Sequence, residues 1–459
     1  MLCRKISEIC ASTASFRCEH IRPADLFLSL STLRYVLLMQ VKTRIRDEFS
    51  FIQGNYKILF ISWILMDLAW EMPNPNFQYY VEALGGNEVS LGIIGLANFL
   101  GMAIVAFPGG YLADKCGRQK IISVMSFGIA LSFLFFAFAP TWEFILLGTI
   151  VSSLCLIYQP ALFAMIQDSL PHNRRGIGSS LIELIHGSFN TPGPIIAGFL
   201  LIQFGLVPSM RIIYLIMTTL FLIAAIWRLK LKETMKNREP IKFHYFFTLY
   251  TKSIKEGFSI WKKVPSSILW VCIIQAVTMF GFSLIRVINA IYARDILHIS
   301  QDQWWLTFVP LLLTMVIASI PIGKMVDVIG RKKPMLLGSA IFGISTLVFV
   351  FGNFLMVMIS MILFGISLLL LMTSINAIIT DYVKEEMRGR VNGFVNFTSY
   401  VSQGAAMLIG GFLFAQVFPE SPFFLSLALV IPSLLIIFFR VDEPAKHQEQ
   451  LHIESTAFK

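Results

Sequence analysis

The stretch Gly110-Tyr-Leu-Ala-Asp114-Lys-Cys-Gly117-Arg118-Gln-Lys120 occurs a second time, as Gly323-Lys-Met-Val-Asp327-Val-Ile-Gly330-Arg331-Lys-Lys333. The two copies are 213 residues apart, and the same spacing separates other identical residues on both sides of them. These pairs are Tyr79 and Tyr292, Pro108 and Pro321, Asp168 and Asp381, Arg175 and Arg388, and Gly198 and Gly411. A register kept over such a distance without an insertion indicates two copies of one folding unit.

Apolar side chains dominate the composition, with 56% hydrophobic residues, 14% charged residues and a mean hydropathy of +0.72. These values lie outside the soluble globular range and predict an all-α polytopic membrane protein. A helix rises about 1.5 Å per residue, so a hydrocarbon core of about 30 Å needs roughly 20 apolar residues per crossing. We predict six spans in each repeat: residues 57–83, 90–112, 119–138, 142–168, 175–203, 208–228, 266–293, 302–325, 333–352, 355–381, 389–416 and 422–440.

Lysine and arginine residues gather in the loops after spans 2, 4, 8 and 10. Because basic residues near span ends stay on the cytoplasmic side, we predict that these loops and both termini are cytoplasmic. An even number of spans per repeat gives both halves the same orientation, related by an axis along the membrane normal. We therefore expect six-helix bundles at residues 53–229 and 266–441, with a central cavity between them.

The net charge of +10 follows from this topology rather than from nucleic-acid binding. The central loop, residues 230–265 together with Arg228, interleaves basic and aromatic residues. It is predicted to be either an amphipathic helix at the membrane interface or a solvated linker. Residues 1–52 are predicted to be a poorly ordered cytoplasmic extension, with Met39 as an alternative start, and residues 442–459 a cytoplasmic tail.

Placed after the second span of each repeat, the duplicated stretch resembles the loop signature of the major facilitator superfamily, and the resemblance covers roughly residues 53–441. It implies secondary transport by alternating access, with the signature as a latch that closes the cytoplasmic side while the cavity opens outward. The latch residues are Gly110, Asp114, Gly117 and Arg118, with their partners Gly323, Asp327, Gly330 and Arg331.

The residues of the signature also have a physical interpretation. Gly110 and Gly323 allow a neighbouring helix to approach closely. The acids can pair with an arginine or with a helix N-terminus. The positive-inside rule alone explains Lys120 and Lys333, but it does not explain an acid at fixed spacing in such a loop.

Two ionisable residues lie inside span 1. Asp67 is ten residues past Lys57, about 15 Å into the bilayer by helix rise, and Glu71 follows one turn later on the same face. Intramembrane carboxylates usually face a cavity or a partner, which makes both residues candidates for proton coupling. Pro73 and Pro75 are expected to interrupt the span. Alternatively, the span ends near Glu71 and leaves that residue among the headgroups.

Span 5 carries a second group, in which Glu183, His186 and Asn190 share one helix face. Their repeat partners Asn396, Ser399 and Gln403 are polar but do not ionise near neutral pH, so only the first half is chargeable. We predict that Glu183 and His186 take part in proton coupling. The alternative is a buried structural pair. A metal site is not expected, because no second Glu-x-x-His motif is present.

Other polar residues within the spans are candidates for the wall of the substrate cavity. Arg286 could instead balance Glu71, attract an anionic substrate or extend to the outer headgroups. The candidates are Tyr158, Gln159, Asn190, Gln275, Arg286, Asn289, Asn376, Asn396, Ser399, Tyr400 and Gln403.

The branch of the superfamily is indicated by span 5, where Gly193-Pro194-Ile-Ile-Ala197-Gly198 resembles the later part of the Gly-Pro-x-x-Gly-Gly element of drug and proton antiporters. The span 4 element Arg-x-x-Gln-Gly of proton-coupled members appears as Leu156-x-x-Gln159-Pro160, without the arginine. We expect proton-coupled efflux of lipophilic or drug-like compounds. The alternatives are proton-coupled uptake of a sugar, organic acid or other metabolite, and a non-transporting receptor or assembly factor on the same scaffold.

The remaining expectations concern partners and excluded classes. The sequence lacks the phosphate-binding loop of a pump and a cluster of catalytic residues, so neither enzyme activity nor a cofactor is expected. The expected partners are a small-molecule substrate, protons and the lipid bilayer, but not nucleic acid. We expect a monomer in the plasma membrane.

Overall fold

The computed structural model describes residues 51–115, 117–171, 181, 192–235, 266–383 and 385–443, except for the side chains of residues 107, 110–115 and 385–390. The predictions for residues 1–50, for 236–265 and for the tail after 443 lie outside the described residues. The same is true of Glu183, His186 and Asn190.

The first half consists of α1 (Gly54–Trp70), α2 (Phe77–Ala83), α3 (Glu88–Lys115), α4 (Arg118–Ala137), α5 (Trp142–Cys155), α6 (Gln159–Ser169), α7 (Pro192–Phe204) and α8 (Leu206–Arg228). The second half consists of α9 (Ser266–Arg286), α10 (Asn289–Asp295), α11 (Gln301–Trp304), α12 (Phe308–Ile329), α13 (Lys332–Val350), α14 (Phe354–Tyr382), α15 (Glu385–Gln416) and α16 (Ser421–Arg440). Short 3-10 turns lie at Asn74–Asn76, Leu156–Tyr158 and Trp305–Thr307.

Ten helical segments of the described part are long and apolar enough to cross a membrane. Helices α1 and α7 lie where spans 1 and 5 are predicted. In hydrocarbon every backbone polar group must be paired inside the protein, which is why apolar runs of this length fold as helices. The all-helical polytopic fold is therefore confirmed.

The two halves repeat the same packing scheme. Helix α8 packs on α1 and α4, and α16 packs correspondingly on α9 and α13. The halves meet where α3 lies along α15 and where α7 contacts the beginning of the α12 segment. Glycines allow the first of these contacts: a Cβ on Gly92 would lie 2.9 Å from the carbonyl oxygen of Met407.

The predicted interruption of span 1 is confirmed, because α1 ends at Trp70 and the chain resumes as α2 only at Phe77. A corresponding break follows Arg286 in the second half, inside the predicted span 266–293, where α9 ends and α10 begins only at Asn289. The span itself is found as one membrane-spanning segment, Ser266–Asp295, and no proline marks the break. Instead, Gln78 of the first half donates a hydrogen bond to the carbonyl oxygen of Arg286, at 3.0 Å, and so pairs a backbone group at the break.

Candidate functional site

Polar contacts join the two halves at one end of the bundle, between residues 74–82 and residues 286–305. We call this region the junction. Tyr79 donates its hydroxyl hydrogen to the carbonyl oxygen of Ala290 at 2.7 Å, and Trp304 Nε1 donates to the carbonyl oxygen of Pro75 at 2.9 Å. Gln78 Nε2 also donates to Asn289 Oδ1 at 3.1 Å. Where the structure describes the side chains on both sides, the hydrogen bonds and ion pairs between the two halves lie in this region.

An ion pair between Arg294 and Glu82 is the charged part of the junction. Arg294 Nη1 lies 2.5 Å from Glu82 Oε2, and Nη2 lies 2.8 Å from Oε1. Arg294 Nε also bonds Asp295, at 2.6 Å, and the guanidinium carbon lies 5.4 Å from the centre of the Tyr79 ring. The sequence analysis did not identify this pair. The one indication in the sequence was Arg294 itself, a basic residue on the side of the membrane where few basic residues are predicted.

The junction also contains polar atoms without a partner. Five atoms of Asn76, Gln78, Gln301 and Trp305 are shielded from solvent and make no hydrogen bond to the described part of the chain. Both amide atoms of Asn76 are among them, and this residue is only 1% exposed. An unpaired buried polar group costs about 1–3 kcal/mol. Closure therefore removes these atoms from solvent without supplying a partner from the described residues.

The arginines of the two signatures form ion pairs within their own halves. Arg118 donates to Asp168 and, at 3.3 Å, to Thr234 Oγ1. Arg331 Nε donates to Asp381 Oδ2 at 3.2 Å, and its Nη1 lies 3.3 Å from Asp327 Oδ1. Arg118–Asp168 and Arg331–Asp381 each span 50 residues of chain, so the repeat extends to side-chain contacts.

A carboxylate caps the helix that follows each signature. Glu233 accepts hydrogen bonds from the backbone N–H groups of Arg118 and Gln119, both at 3.2 Å, and Glu443 accepts from those of Arg331 and Lys332, at 2.5 and 3.1 Å. Burial acts to raise the pKa of the Glu233 carboxyl, but the backbone hydrogen bonds outweigh it and hold this pKa below its usual value. The sequence analysis missed both caps, although Glu233 stands out as an acid in the basic central segment.

The second glycine of each signature has a backbone role. Gly117 and Gly330 have φ angles of 91° and 103°, a region that favours glycine. Gly117 directly precedes α4, and Gly330 lies two residues before the start of α13. At Gly323 the predicted close helix approach is absent from this structure, because no described atom lies within 4 Å of the position of a Cβ. The Asp114 side chain lies outside the described residues, so its pairing with Arg118 stays a prediction.

The candidates for proton coupling in span 1 lie beside the break. Asp67 is buried in α1, with 6% of its surface exposed. Glu71 is partly buried and accepts a hydrogen bond from the side chain of Asn74 within the break. Arg286 is exposed and forms no ion pair with Glu71 in the described part of the chain, so the suggested balancing of these two charges is absent from this structure.

The described cavity candidates differ in burial. Tyr158 and Ser399 are buried, whereas Arg286, Asn376 and Asn396 are exposed. The structure brings two of the candidates to the interface between the halves: Asn289 lies in the junction, and the Tyr400 ring stacks on Phe99 of α3 with 6.4 Å between the ring centres. The partly buried candidates are Gln159, Gln275, Asn289, Tyr400 and Gln403.

Arg228 lies inside the first half, as the last residue of the predicted span 208–228, although the sequence analysis counted its charge with the basic central loop. It is the last residue of α8 and is 1% exposed. Its Nε donates to Ser62 Oγ at 3.0 Å, its Nη1 donates to Ser126 Oγ at 2.8 Å, and its guanidinium carbon lies 5.3 Å from the centre of the Tyr158 ring. No carboxylate of the described residues forms an ion pair with it. The sequence did not indicate that this charge turns into the bundle, because hydropathy does not show where a long side chain extends.

The family profile of the Major Facilitator Superfamily matches residues 59–274 and again residues 271–457. The chain belongs to this superfamily. The two successive matches agree with the duplicated signature, and they confirm the predicted superfamily. This facilitator is therefore an integral membrane protein, a secondary transporter whose family and fold are those of transporters rather than enzymes.

Several known proteins are similar to this facilitator. An uncharacterized MFS-type transporter of Methanocaldococcus jannaschii is 26% identical over 404 residues, which cover 84% of this chain and 94% of the relative. The multidrug resistance protein MdtG of Serratia proteamaculans is 25% identical over 290 residues, 60% of this chain and 67% of the relative. Among solved structures, the nucleoside transporter NupG has a TM-score of 0.66 at 13% identity and covers 84% of this chain and 99% of its own, which shows a shared fold.

Proposed function

We propose that this facilitator exports lipophilic or drug-like compounds in exchange for protons, by alternating access at the plasma membrane. The junction is the observation that carries the proposal. The halves are tied to each other at that end by side chains from both, whereas Arg118 and Arg331 pair within their own halves. Two bundles that are tied at one end form the arrangement from which a rocking motion can exchange access.

The predicted membrane orientation indicates which conformational state of the transport cycle has the junction closed. Glu82 and Arg294 follow spans 1 and 7 on the face that the positive-inside rule assigns to the outside. On that assignment, the structure corresponds to the state closed to the outside. Its opposite state would separate Glu82 from Arg294 and bring the two signature loops together.

Proton coupling is assigned to carboxyl groups inside the spans. Asp67 is buried in α1 ahead of the break, and an ionisable group at membrane depth is a functional candidate by default. Glu183 and His186 remain the second predicted group. Taking up and releasing a proton at these groups would bias which of the two states is favoured.

The choice of substrate class and direction is supported by relatives. Proteins named for multidrug resistance, from Serratia proteamaculans and from Bacillus subtilis, are similar to this chain. The Gly193-Pro194 element of α7, which resembles that of drug and proton antiporters, also supports export. Gly193 packs directly on the chain of span 1, because a Cβ on it would lie 3.1 Å from the backbone nitrogen of Met72.

Transport measurements in proteoliposomes with an imposed pH gradient test the proposal. Wild type should move a lipophilic fluorescent dye saturably against its gradient. Asp67→Asn and Glu183→Gln should abolish gradient-driven accumulation but retain exchange of dye for dye. Asp302→Asn, which removes an exposed acid outside these groups, is the matched control and should behave as wild type.

The possible results separate the parts of the proposal. Unchanged gradient-driven transport in both variants would refute the coupling role of these carboxyl groups. An absence of saturable flux in wild type, with dye, sugars and organic acids all tested, would instead favour a non-transporting receptor.

A further inference from the structure

A small cavity lies inside the second half, among helices α9, α13, α14 and α16. Its volume is about 10 Å³, near the lower limit of the space that one water molecule needs. The wall combines apolar residues and Gly281 with four side chains that carry hydroxyl groups. These are Thr278, Ser339, Ser426 and Ser433.

One hydroxyl group of this wall is buried without a hydrogen-bond partner. Ser339 is buried, and its Oγ is shielded from solvent without a hydrogen bond to the described part of the chain. Thr278 and Ser433 are also buried residues, and both line the same space. Ser426 is paired, since it donates to the carbonyl oxygen of Gly281 at 2.9 Å. A buried hydroxyl normally has a partner, so the unpaired Ser339 Oγ beside a water-sized space lined by two further hydroxyl groups points to one water molecule that the three share.

The repeat shows what the first half places at the related position. Ser126 and Tyr158 contact the guanidinium of Arg228, and their partners 213 residues later, Ser339 and Leu371, both line the cavity. The repeat partner of Arg228 is Val441, which is buried and cannot donate a hydrogen bond from its side chain. In the first half the guanidinium of Arg228 thus occupies the polar space beside Ser126, and the second half has no such side chain beside Ser339.

We propose that the cavity binds one ordered water molecule through Ser339, Thr278 and Ser433. Buried waters make about three hydrogen bonds, and these three hydroxyls come from three different helices, α13, α9 and α16. The water joins these helices as Arg228 joins α8 to α1 and α4. A metal cation fits less well, because the described lining residues include no carboxylate. The proposal does not depend on what the protein transports.

A double-mutant cycle on the purified full-length protein tests the shared partner. Ser339→Ala and Ser433→Ala should each lower the apparent melting temperature. The double variant should lose no more than the larger single loss, because either change already removes the water. As a control, Ser339→Ala combined with Ser421→Ala should give additive losses, since Ser421 pairs with the carbonyl oxygens of Leu413 and Phe418 at the other end of α16.

Two further measurements complete the test. A high-resolution crystal structure should show density about 2.7–3.2 Å from Ser339 Oγ. Replacing sodium chloride by choline chloride at equal concentration should leave the melting temperature of wild type unchanged. Additive losses for Ser339 and Ser433, single variants as stable as wild type, or stabilisation that requires sodium would each overturn the proposal.

Discussion

Arg294 and Glu82, separated by 212 residues, form a two-hydrogen-bond ion pair that links the two halves. Both side chains are about one-third exposed, at 36% and 38%, so water and salt screen their attraction. Exposed pairs contribute about 0.2–1 kcal/mol, even where the geometry is good. The pair is thus suited to hold a closure that has to be released in every cycle.

Removing this charge pair should favour opening of the junction. In a background without native cysteines, Ala290→Cys places a reporter at a buried position of the junction. Glu82→Gln should raise its rate of modification by a membrane-impermeant thiol reagent about 1.4- to fivefold, which corresponds to the range of about 0.2–1 kcal/mol for exposed ion pairs. Glu82→Arg combined with Arg294→Glu should restore the original rate. Equal rates in Glu82→Gln and in the control Asp302→Asn would mean that the pair does not hold the junction closed.

Removing unpaired polar atoms should have the opposite effect. Asn76→Leu keeps the side-chain size but deletes two shielded atoms without partners in the described part of the chain. We expect slower modification of the Ala290→Cys reporter and a higher apparent melting temperature. The matched control is Asn353→Leu, which should lower the melting temperature because Asn353 caps α14 by accepting from Met356 N at 3.1 Å. Faster modification in Asn76→Leu would show that the amide is paired when the junction is closed.

Arg228 should matter more for transport than for folding. Ser62 and Ser126 also donate to the carbonyl oxygens of Leu59 and Ile122, at 2.9 and 2.6 Å, so removing the guanidinium leaves neither hydroxyl unpaired. Replacing a buried charge by an apolar side chain of similar length is often nearly neutral.

Arg228→Met should therefore melt within a few degrees of wild type, whereas gradient-driven dye transport should fall severalfold, because the guanidinium contacts the ring of Tyr158, a candidate for the cavity wall. Arg228→Lys keeps the charge and should recover part of the transport. A large loss of stability in Arg228→Met, with transport per folded molecule unchanged, would assign the residue a structural role only.

The glycines of the second signature should differ in their tolerance of alanine. Gly330→Ala forces a side chain into the left-handed region and brings a Cβ to 2.6 Å from Glu443 Oε1. It should destabilise the protein by about 1 kcal/mol or more. Gly323→Ala meets no described atom within 4 Å and should be close to neutral or slightly stabilising, since alanine favours the helix. Thermal unfolding in detergent checks the order, and a larger loss at Gly323 would contradict it.

Much of the fold could be predicted because its causes are local in the chain. Apolar runs of about 20 residues predict spans, and Pro73 and Pro75 predict the break after α1. The break after Arg286 could not be predicted, because its free carbonyl is paired by Gln78, 208 residues away. Hydropathy placed Arg228 at the end of the sixth span but did not show that its side chain is buried inside the first half.

The candidate site was less predictable, because its contacts join residues that are far apart in the chain. Asp67, Glu71 and the signature residues could be named from residue type and spacing. Their contacts could not be named, because the partners lie far away in the chain. Asp168 accepts a hydrogen bond from the Arg118 side chain and Glu233 caps the start of α4, and no sequence pattern indicates either contact.

By itself, the sequence determined the helical membrane fold, its duplication and its superfamily, because hydrocarbon admits only internally paired backbones and a repeated signature keeps its register. Only the tertiary structure decided which polar groups meet. Arg294 with Glu82, Arg228 with Ser62, and Glu233 with the start of α4 are separated by 212, 166 and 115 residues. Such partners are selected by how helices pack, since only packing brings distant side chains within the roughly 3 Å over which a hydrogen bond acts.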